Sequence, residues 1–262
     1  MLIATWNING VRARIDALTA WLTERSPDIV CLQEIKSLDD GFPRQAVEAL
    51  GYHVETHGQK GFNGVALLSK VAPDNGSVSR GLPGDESDEQ SRFIEACWTV
   101  NGQRVRVASL YLPNGNPLGT EKFTYKLSWM QRLEAHAIAR LSDEDALILA
   151  GDYNVIPEPE DCRNPAAWLG DALYQPESRA AYRRLLNLGL LDAVRATTAA
   201  GEVYTFWDYQ AGAWQKNNGI RIDHLLLSPE AASRLGSVGI DKHVRGWEKP
   251  SDHVPVVIDL ML

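Results

Sequence analysis

Apolar residues gather in short runs along this chain: Leu2 to Trp6, Ile29 to Leu32, Val65 to Leu68, Phe93 to Trp98, Val105 to Tyr111, Ala146 to Ala150, Ile222 to Leu227 and Val254 to Leu260. Runs this short and this continuous predict strands, several of them covered on both faces. Between some of them the apolar spacing becomes helical. Ile15, Leu18, Trp21 and Leu22 share one predicted helix face, Phe123, Leu127, Met130 and Leu133 a second, and Tyr182, Leu185 and Leu186 a third. Strands outnumber helices, and several follow one another with no room for a helix between. The pattern predicts an α/β protein in which two sheets pack face to face with helices outside, rather than one doubly wound sheet. No repeat, low-complexity tract or long linker divides the sequence, so residues 1–262 are expected to fold as a single domain.

Five of these runs begin or end at polar residues able to hold a cation or a phosphate: IATWNIN at Asn7 and Asn9, IVCLQE at Glu34, LILAGDYN at Asp152 and Asn154, RIDHLLL at Asp223, and SDHVPVV at Asp252 and His253. Any one of them alone is ordinary. An Asn or Asp after a strand is usually a turn former, Glu34 could be a helix-entry charge, and a lone His more often satisfies a local hydrogen bond than catalyses. Five together point to one rim where strand ends and their loops converge, a seat for a hard cation or a phosphate. Residues i and i+2 of an extended segment face the same side. Asn7 is therefore expected to pair with Asn9 and Asp152 with Asn154, whereas the neighbours Asp252 and His253 should point apart.

Composition adds three limits. With 44% hydrophobic residues in 262 the chain can bury a large core, and no apolar run approaches the roughly 20 residues that cross a bilayer, so no membrane partner is expected. The three cysteines, Cys31, Cys97 and Cys162, are widely spaced and odd in number, which fits a reducing compartment; with no leader-like start, a cytoplasmic location is expected. The net charge of -8 argues mildly against nucleic acid, yet a cation-dependent site on phosphate must itself gather carboxylates. The run from Gly84 to Glu89 reads as a solvated acidic turn.

These residues also carry a family resemblance. Asn7-Ile8-Asn9-Gly10, Leu32-Gln33-Glu34, Gly61-Phe62-Asn63-Gly64-Val65-Ala66, Tyr111-Leu112-Pro113-Asn114-Gly115, Gly151-Asp152-Tyr153-Asn154-Val155, Arg221-Ile222-Asp223 and Ser251-Asp252-His253 resemble, in order and over essentially the whole chain, the motif series of exonuclease III and the bacterial-type abasic-site endonucleases. The Asn, Glu, GDxN and SDH elements are shared with the wider endonuclease/exonuclease/phosphatase superfamily. The resemblance implies a four-layer α/β sandwich of two mixed β-sheets flanked by helices. It also implies a monomeric, nucleoid-associated DNA repair enzyme that needs magnesium, with manganese as a substitute. Its reaction would be hydrolysis of duplex DNA 5′ to abasic sites and removal of nucleotides or blocking groups from 3′ ends.

Carried over by position, Glu34 resembles the principal metal ligand, with Asn9 and Asp252 near the ion. Asp152 resembles the group that positions or deprotonates the attacking water. Asn154, Asn7 and His253 resemble the groups that hold the phosphate, Asp223 the one that orients His253, and Tyr111 one that reaches a phosphate oxygen or the nucleophile. Such a set suits the chemistry, because hydrolysis piles negative charge on phosphate oxygens and oxygen-only ligands favour magnesium or manganese over zinc. Phe206, Ile220 and Ile222 match the walls of the family's abasic-sugar pocket, where apolar surface accepts a baseless deoxyribose and a whole nucleotide is too large. Arg163, Lys216 and Arg221 are candidate phosphate grips beside the motifs, as are Arg12, Arg14, Lys36 and Lys60. A phosphatase of small or lipid-linked phosphoesters is disfavoured, since the segments around Arg163 and Lys216 resemble DNA-facing loops. An inert DNA-binding relative is disfavoured because every expected catalytic position is filled.

Overall fold

The computed structural model describes residues 1–198, 201 and 203–262. Residues 2–69 build most of one sheet from β1 (Leu2–Asn7), β2 (Ile29–Gln33), β3 (His53–His57) and β4 (Val65–Ser69), with α1 (Ile15–Arg25) and α2 (Arg44–Glu48) outside. The second sheet takes β5 (Ser79–Arg80), β6 (Phe93–Val100), β7 (Gln103–Tyr111), β8 (Ala146–Asp152), β9 (Leu191–Asp192) and β10 (Asp223–Leu227). Its helices are α3 (Glu121–Leu141), α4 (Pro176–Asn187), α5 (Ala193–Thr197) and α6 (Pro229–Ala232). The chain then returns to the first sheet with β11 (Leu235–Ile240) and β12 (Val256–Leu260), giving the orders β11-β12-β1-β2-β4-β3 and β5-β6-β7-β8-β10-β9.

Each sheet holds one parallel pair among antiparallel neighbours, β1 with β2 and β7 with β8. A parallel pair needs a long crossover, and α1 and α3 supply it. Residues such as Ile3, Cys31, Leu67, Val107, Ile148, Leu225 and Ile258 fill the space between the sheets. Trp6, Trp21 and Leu22 seal α1 to the outside of the first sheet, and Trp129, Met130, Leu133, Tyr182 and Leu185 seal α3 and α4 to the second. The result is the four-layer sandwich of two mixed sheets that the sequence pattern and the family resemblance together implied.

Strand register sets up the rim. Asn7 ends β1 beside Gln33 at the end of β2, Tyr111 ends β7 beside Asp152 at the end of β8, and Asp223 opens β10 opposite that same Asp152. Four strands escaped the sequence pattern: β5 and β9 are two residues long, β3 alternates with polar residues and β11 contains Gly236 and Gly239. The predicted stripe on α3 is rotated, with Lys126, Trp129 and Ala137 buried while Phe123 and Leu127 are only half-buried. The acidic turn is not wholly solvated either, because Asp88 folds back onto the Tyr125 hydroxyl and Arg132. Among the described residues no helix is long and apolar enough to cross a membrane.

Candidate active site

The pairs expected from strand alternation exist, but turns make them. After β1 the backbone of Asn9 swings into the left-handed region (φ 47°) and its N–H donates to Asn7 Oδ1 at 3.0 Å. Asn154 does the same beyond β8, with φ 47° and its N–H 2.9 Å from Asp152 Oδ1. Asn tolerates this conformation because its short amide can bond locally. Glu34 has no such excuse at φ 49°, so the fold holds a mildly strained residue where β2 delivers its carboxylate.

A continuous hydrogen-bonded line crosses from one sheet to the other. Asn7 Nδ2 donates to Glu34 Oε1 and to Asp152 Oδ2, each at 3.0 Å. Both amide protons are thereby used, so Asn7 has none to offer a phosphate, and the phosphate-holding role drawn from the resemblance gives way to that of a bridge between two carboxylates. His253 Nδ1 lies 2.8 Å from Asp223 Oδ2, while its Nε2 lies 3.7 Å from Asp152 Oδ2. Asp252 points away, as adjacent residues should, and its Oδ1 accepts from Asn9 Nδ2 at 3.0 Å. Asn154 spends one amide proton on Leu112 O at 2.9 Å and accepts from Asn114 Nδ2 at 3.2 Å, leaving its second proton for a ligand.

The electrostatics follow from burial and from carboxylates crowding one imidazole. Burial pushes the Asp152 carboxyl up, and the Asp223 charge adds to this against the pull of His253. Burial draws the His253 ring down, but Asp223 and Asp152 outweigh it and hold the ring protonated well above its ordinary range. Burial also raises Glu34, yet Lys36 and Asn7 keep it below the usual carboxylate range. Tyr111 is pushed far up by burial and by Glu34 and Asp152, so it stays a phenol. Asp223 Oδ1 is buried with no hydrogen-bond partner among the described residues.

Two side-chain oxygens converge on one cation: Glu34 Oε2 and Asn9 Oδ1 lie 2.8 and 2.6 Å from the Lys36 ammonium. An oxygen-only set that already gathers around positive charge, with Asp252 tied to Asn9, fits a hard divalent ion. Asp152, Asp223 and His253 also place ligand atoms within 4.8 Å of one another. There the His253 ring is already hydrogen-bonded through Nδ1 to Asp223, which leaves Nε2 facing Asp152.

Beside these groups opens a cleft of about 230 Å³ whose walls include Phe206, Ile222, Trp168 and Leu173. Phe206 stacks its edge near His253, ring centroids 4.9 Å apart. Ile220 does not line the cleft; it is buried behind the wall, bridging by backbone to Phe206 and Cys162. Arg221 is a plain correction. Only 1% exposed, its guanidinium is spent on Asp161, Asp192 and His224, so it braces the fold and cannot grip DNA. Lys216 donates to Ala211 O at 2.8 Å and lies outside the cleft lining, while Arg163 is exposed and its backbone N–H is tied to Gly219 O.

Sequence reasoning missed Trp168 and Leu173, which sit in no motif. It also missed Lys126, whose fully buried ammonium donates to Pro113 O, Asn114 O and Asn154 O and clamps the loop that follows Tyr111 to the one that carries Asn154. Burial brings its pKa down to about 7. A lysine one turn from Trp129 and Met130 on the apolar side of α3 was the available signal.

Comparison with known proteins agrees with this geometry. Residues 4–253 match the model of the Endonuclease/Exonuclease/phosphatase family. The chain is 38% identical to an exodeoxyribonuclease III of Haemophilus influenzae, over 98% of both chains. An AP endonuclease structure from Archaeoglobus fulgidus superposes with a TM-score of 0.92 at 36% identity, covering 100% of both chains. The 3′ phosphatase NExo from Neisseria, bound to a product DNA hairpin, superposes with a TM-score of 0.93 at 37% identity, again over 100% of both.

Proposed function

We propose, from the premise that this chain belongs to the endonuclease/exonuclease/phosphatase family, that it hydrolyses DNA phosphodiesters 5′ to abasic sites and clears nucleotides or blocking groups from 3′ ends. It is a hydrolytic DNA repair nuclease. The reading takes residues 1–262 as one catalytic domain working as a monomer in the cytoplasm, at the nucleoid, with magnesium as its ion and manganese able to replace it. The observation that carries it is the line from Glu34 through Asn7 to Asp152, closed by His253 and Asp223.

Each residue then has a task. Glu34, with Asn9 and Asp252 beside it, would hold the ion, which supplies a Lewis acid for charge developing on the phosphate. Asp152 orients the attacking water and takes its proton; a carboxyl raised by burial is a better base near neutral pH than an ordinary one. Asn7 keeps Glu34 and Asp152 at fixed separation, so the carboxylate that would hold the ion and the one that takes the proton face one phosphate. Asp223 fixes the His253 ring and its charge, leaving the Nε2 proton to face a phosphate oxygen. Asn154, with its spare amide proton, and Tyr111, as a neutral phenol, add two further donors. Phe206, Ile222, Trp168 and Leu173 form a small apolar wall suited to a deoxyribose without its base.

The test is a duplex oligonucleotide carrying one abasic analogue, and a second ending in a 3′ phosphate, each incubated with and without magnesium. Magnesium-dependent incision on the 5′ side of the analogue is expected. Binding without cutting would make the chain an inert relative, and turnover of small phosphoesters alone would make it a phosphatase of another class.

A further inference from the structure

We propose that Lys36 is the metal site's built-in counterion: its ammonium occupies the seat between Glu34 and Asn9 that a divalent cation takes, and it must leave for that cation to enter. This rests on the reading above that Glu34 and Asn9 bind metal.

The geometry leaves room for one cation. Lys36 Nζ lies 2.8 Å from Glu34 Oε2 and 2.6 Å from Asn9 Oδ1, while Glu34 Oε1 is engaged by Asn7 and Asn9 Nδ2 by Asp252. Of the Glu34 and Asn9 side-chain oxygens, the two not engaged by Asn7 are the two that face the ammonium. Magnesium contacts oxygen at about 2.1 Å, closer than the ammonium does, so an ion bound to both atoms would compete with the ammonium for them. The placement is built into the backbone. Glu34 and Lys36 both adopt left-handed conformations, φ 49° and 51°, on either side of Ile35, and the Lys36 N–H is anchored to Asn63 O at 3.0 Å.

Lysine suits the role because its ammonium is a compact point charge on a flexible stem, where an arginine fork would not fit a spherical seat. The side chain is 32% exposed, so it can swing outward without moving the strand. Before metal arrives, the ammonium holds Glu34 ionised and Asn9 turned toward it. After metal arrives, it is released at the mouth of a site that receives phosphate. The arrangement trades metal affinity for a preformed pair of ligands.

Manganese titration of the DNA-free protein, followed by calorimetry, tests this. Lys36→Met should bind Mn2+ about tenfold more tightly than the wild type, since a competing like charge is gone. Arg14 is the control for general charge, because its guanidinium bonds the Asn9 backbone oxygen and the Tyr209 hydroxyl and touches neither ligand oxygen. Arg14→Met should stay within about twofold of wild type, the charge there being screened. Equal or weaker binding by Lys36→Met, or an equal gain from Arg14→Met, overturns the proposal while leaving the metal reading intact. If Glu34→Gln binds Mn2+ as well as wild type, or neither wild type nor Lys36→Met binds it, the metal reading itself falls and the proposal with it. A measurement on the unaltered protein guards against a misfolded variant. Mn2+ should raise acetylation of Lys36 relative to exposed Lys60, and an unchanged ratio refutes displacement.

Discussion

Arg221 and Asp223 stand two residues apart and belong to two different buried polar clusters. Around Arg221 the charges close: Asp161 and Asp192 face Arg221 and Arg195, and the Tyr182 hydroxyl donates to Asp192. Each guanidinium nitrogen of Arg221 has a partner, and burial with the nearby guanidinium pushes His224 down to about 4, so it stays neutral. Around Asp223 the charges stay open. Glu34, Asp152, Asp223 and Asp252 outnumber Lys36 and His253, and Asp223 Oδ1 has no partner among the described residues. Both clusters use carboxylates and cations, but Glu34, Lys36 and Asp252 are partly exposed whereas Asp161, Asp192 and Arg221 are buried. The closed one matches its two carboxylates with two guanidinium groups and braces; the open one keeps more carboxylates than cations, a charge that an ion and a phosphate would meet.

Asp152→Asn should break the contrast most strongly. Single-turnover incision is expected to fall roughly a thousandfold, the middle of the range for losing a general base. Stability should move the other way. The folded carboxyl has a raised pKa, so its contribution is fully present below the unfolded value near 3.9 and is lost as pH rises through the folded one. At pH 8 the wild type carries that cost and the amide does not. Thermal melts should place the variant above wild type at pH 8, with the gap shrinking toward pH 4. A loss under tenfold, or a less stable variant at pH 8, would contradict the open-cluster reading.

Arg221→Met is the mirror experiment. Stranding two buried carboxylates should cost about 3 kcal/mol, read as a lower urea midpoint, while cleavage per folded molecule at low temperature changes little. Asp161 and Asp192 are held below the ordinary range by Arg221 despite their burial. Their contribution is therefore present above the unfolded value near 3.9 and lost as pH falls through the lower folded ones. The deficit of the variant should hold at pH 7 and pH 5 and narrow only below about pH 4. Unchanged stability would show that the closed cluster braces nothing.

Third comes the pair inside the open cluster. His253→Ala and Asp223→Ala should each lower single-turnover cleavage by about a hundredfold, and the double variant should be little worse than the poorer single, because the two act as one unit. Additive losses would separate them. The raised His253 pKa gives stability present below about 6.5 and lost as pH rises through the folded value. The alkaline decline of melting temperature should accordingly be shallower in His253→Ala.

The open cluster was legible in the sequence and the closed one was not, for a physical reason. Asn7, Glu34, Asp152, Asp223 and His253 all sit where an apolar run meets a polar residue, so the strand pattern itself brings them to one rim. Asp161 lies in a short turn, Asp192 at an edge strand and Arg221 just before β10. Nothing in their spacing announces that they meet, and Arg221 beside a motif looked like a grip on DNA. The same holds for Lys126 and Trp168, whose placement depends on how α3 and the turn Pro165–Trp168 pack against the sheets. Local pattern finds strands and what caps them; it misses contacts set by tertiary packing alone.

The smallest effect belongs to the wall between the clusters. Ile220 and Ile222 flank Arg221 in sequence, so the braced cluster backs the same segment that lends Ile222 to the cleft. Trp168 closes that wall from a separate turn, and among the described residues its side chain makes no hydrogen bond to either cluster, so removing it is expected to change the shape of the pocket more than the electrostatics of the site. Trp168→Ala should leave the single-turnover rate on an abasic analogue within about threefold of wild type, while raising incision at an intact nucleotide so that discrimination falls about tenfold, the scale of one lost apolar wall. Arg221→Met should erode discrimination in the same direction but less, by letting the Ile222 segment loosen. Measuring both substrates under single-turnover conditions for both variants separates pocket shape from chemistry. Equal loss on the two substrates in Trp168→Ala would mean that the residue supports catalysis and selects nothing, and the boundary between bracing and reacting regions would then have to be redrawn to include it.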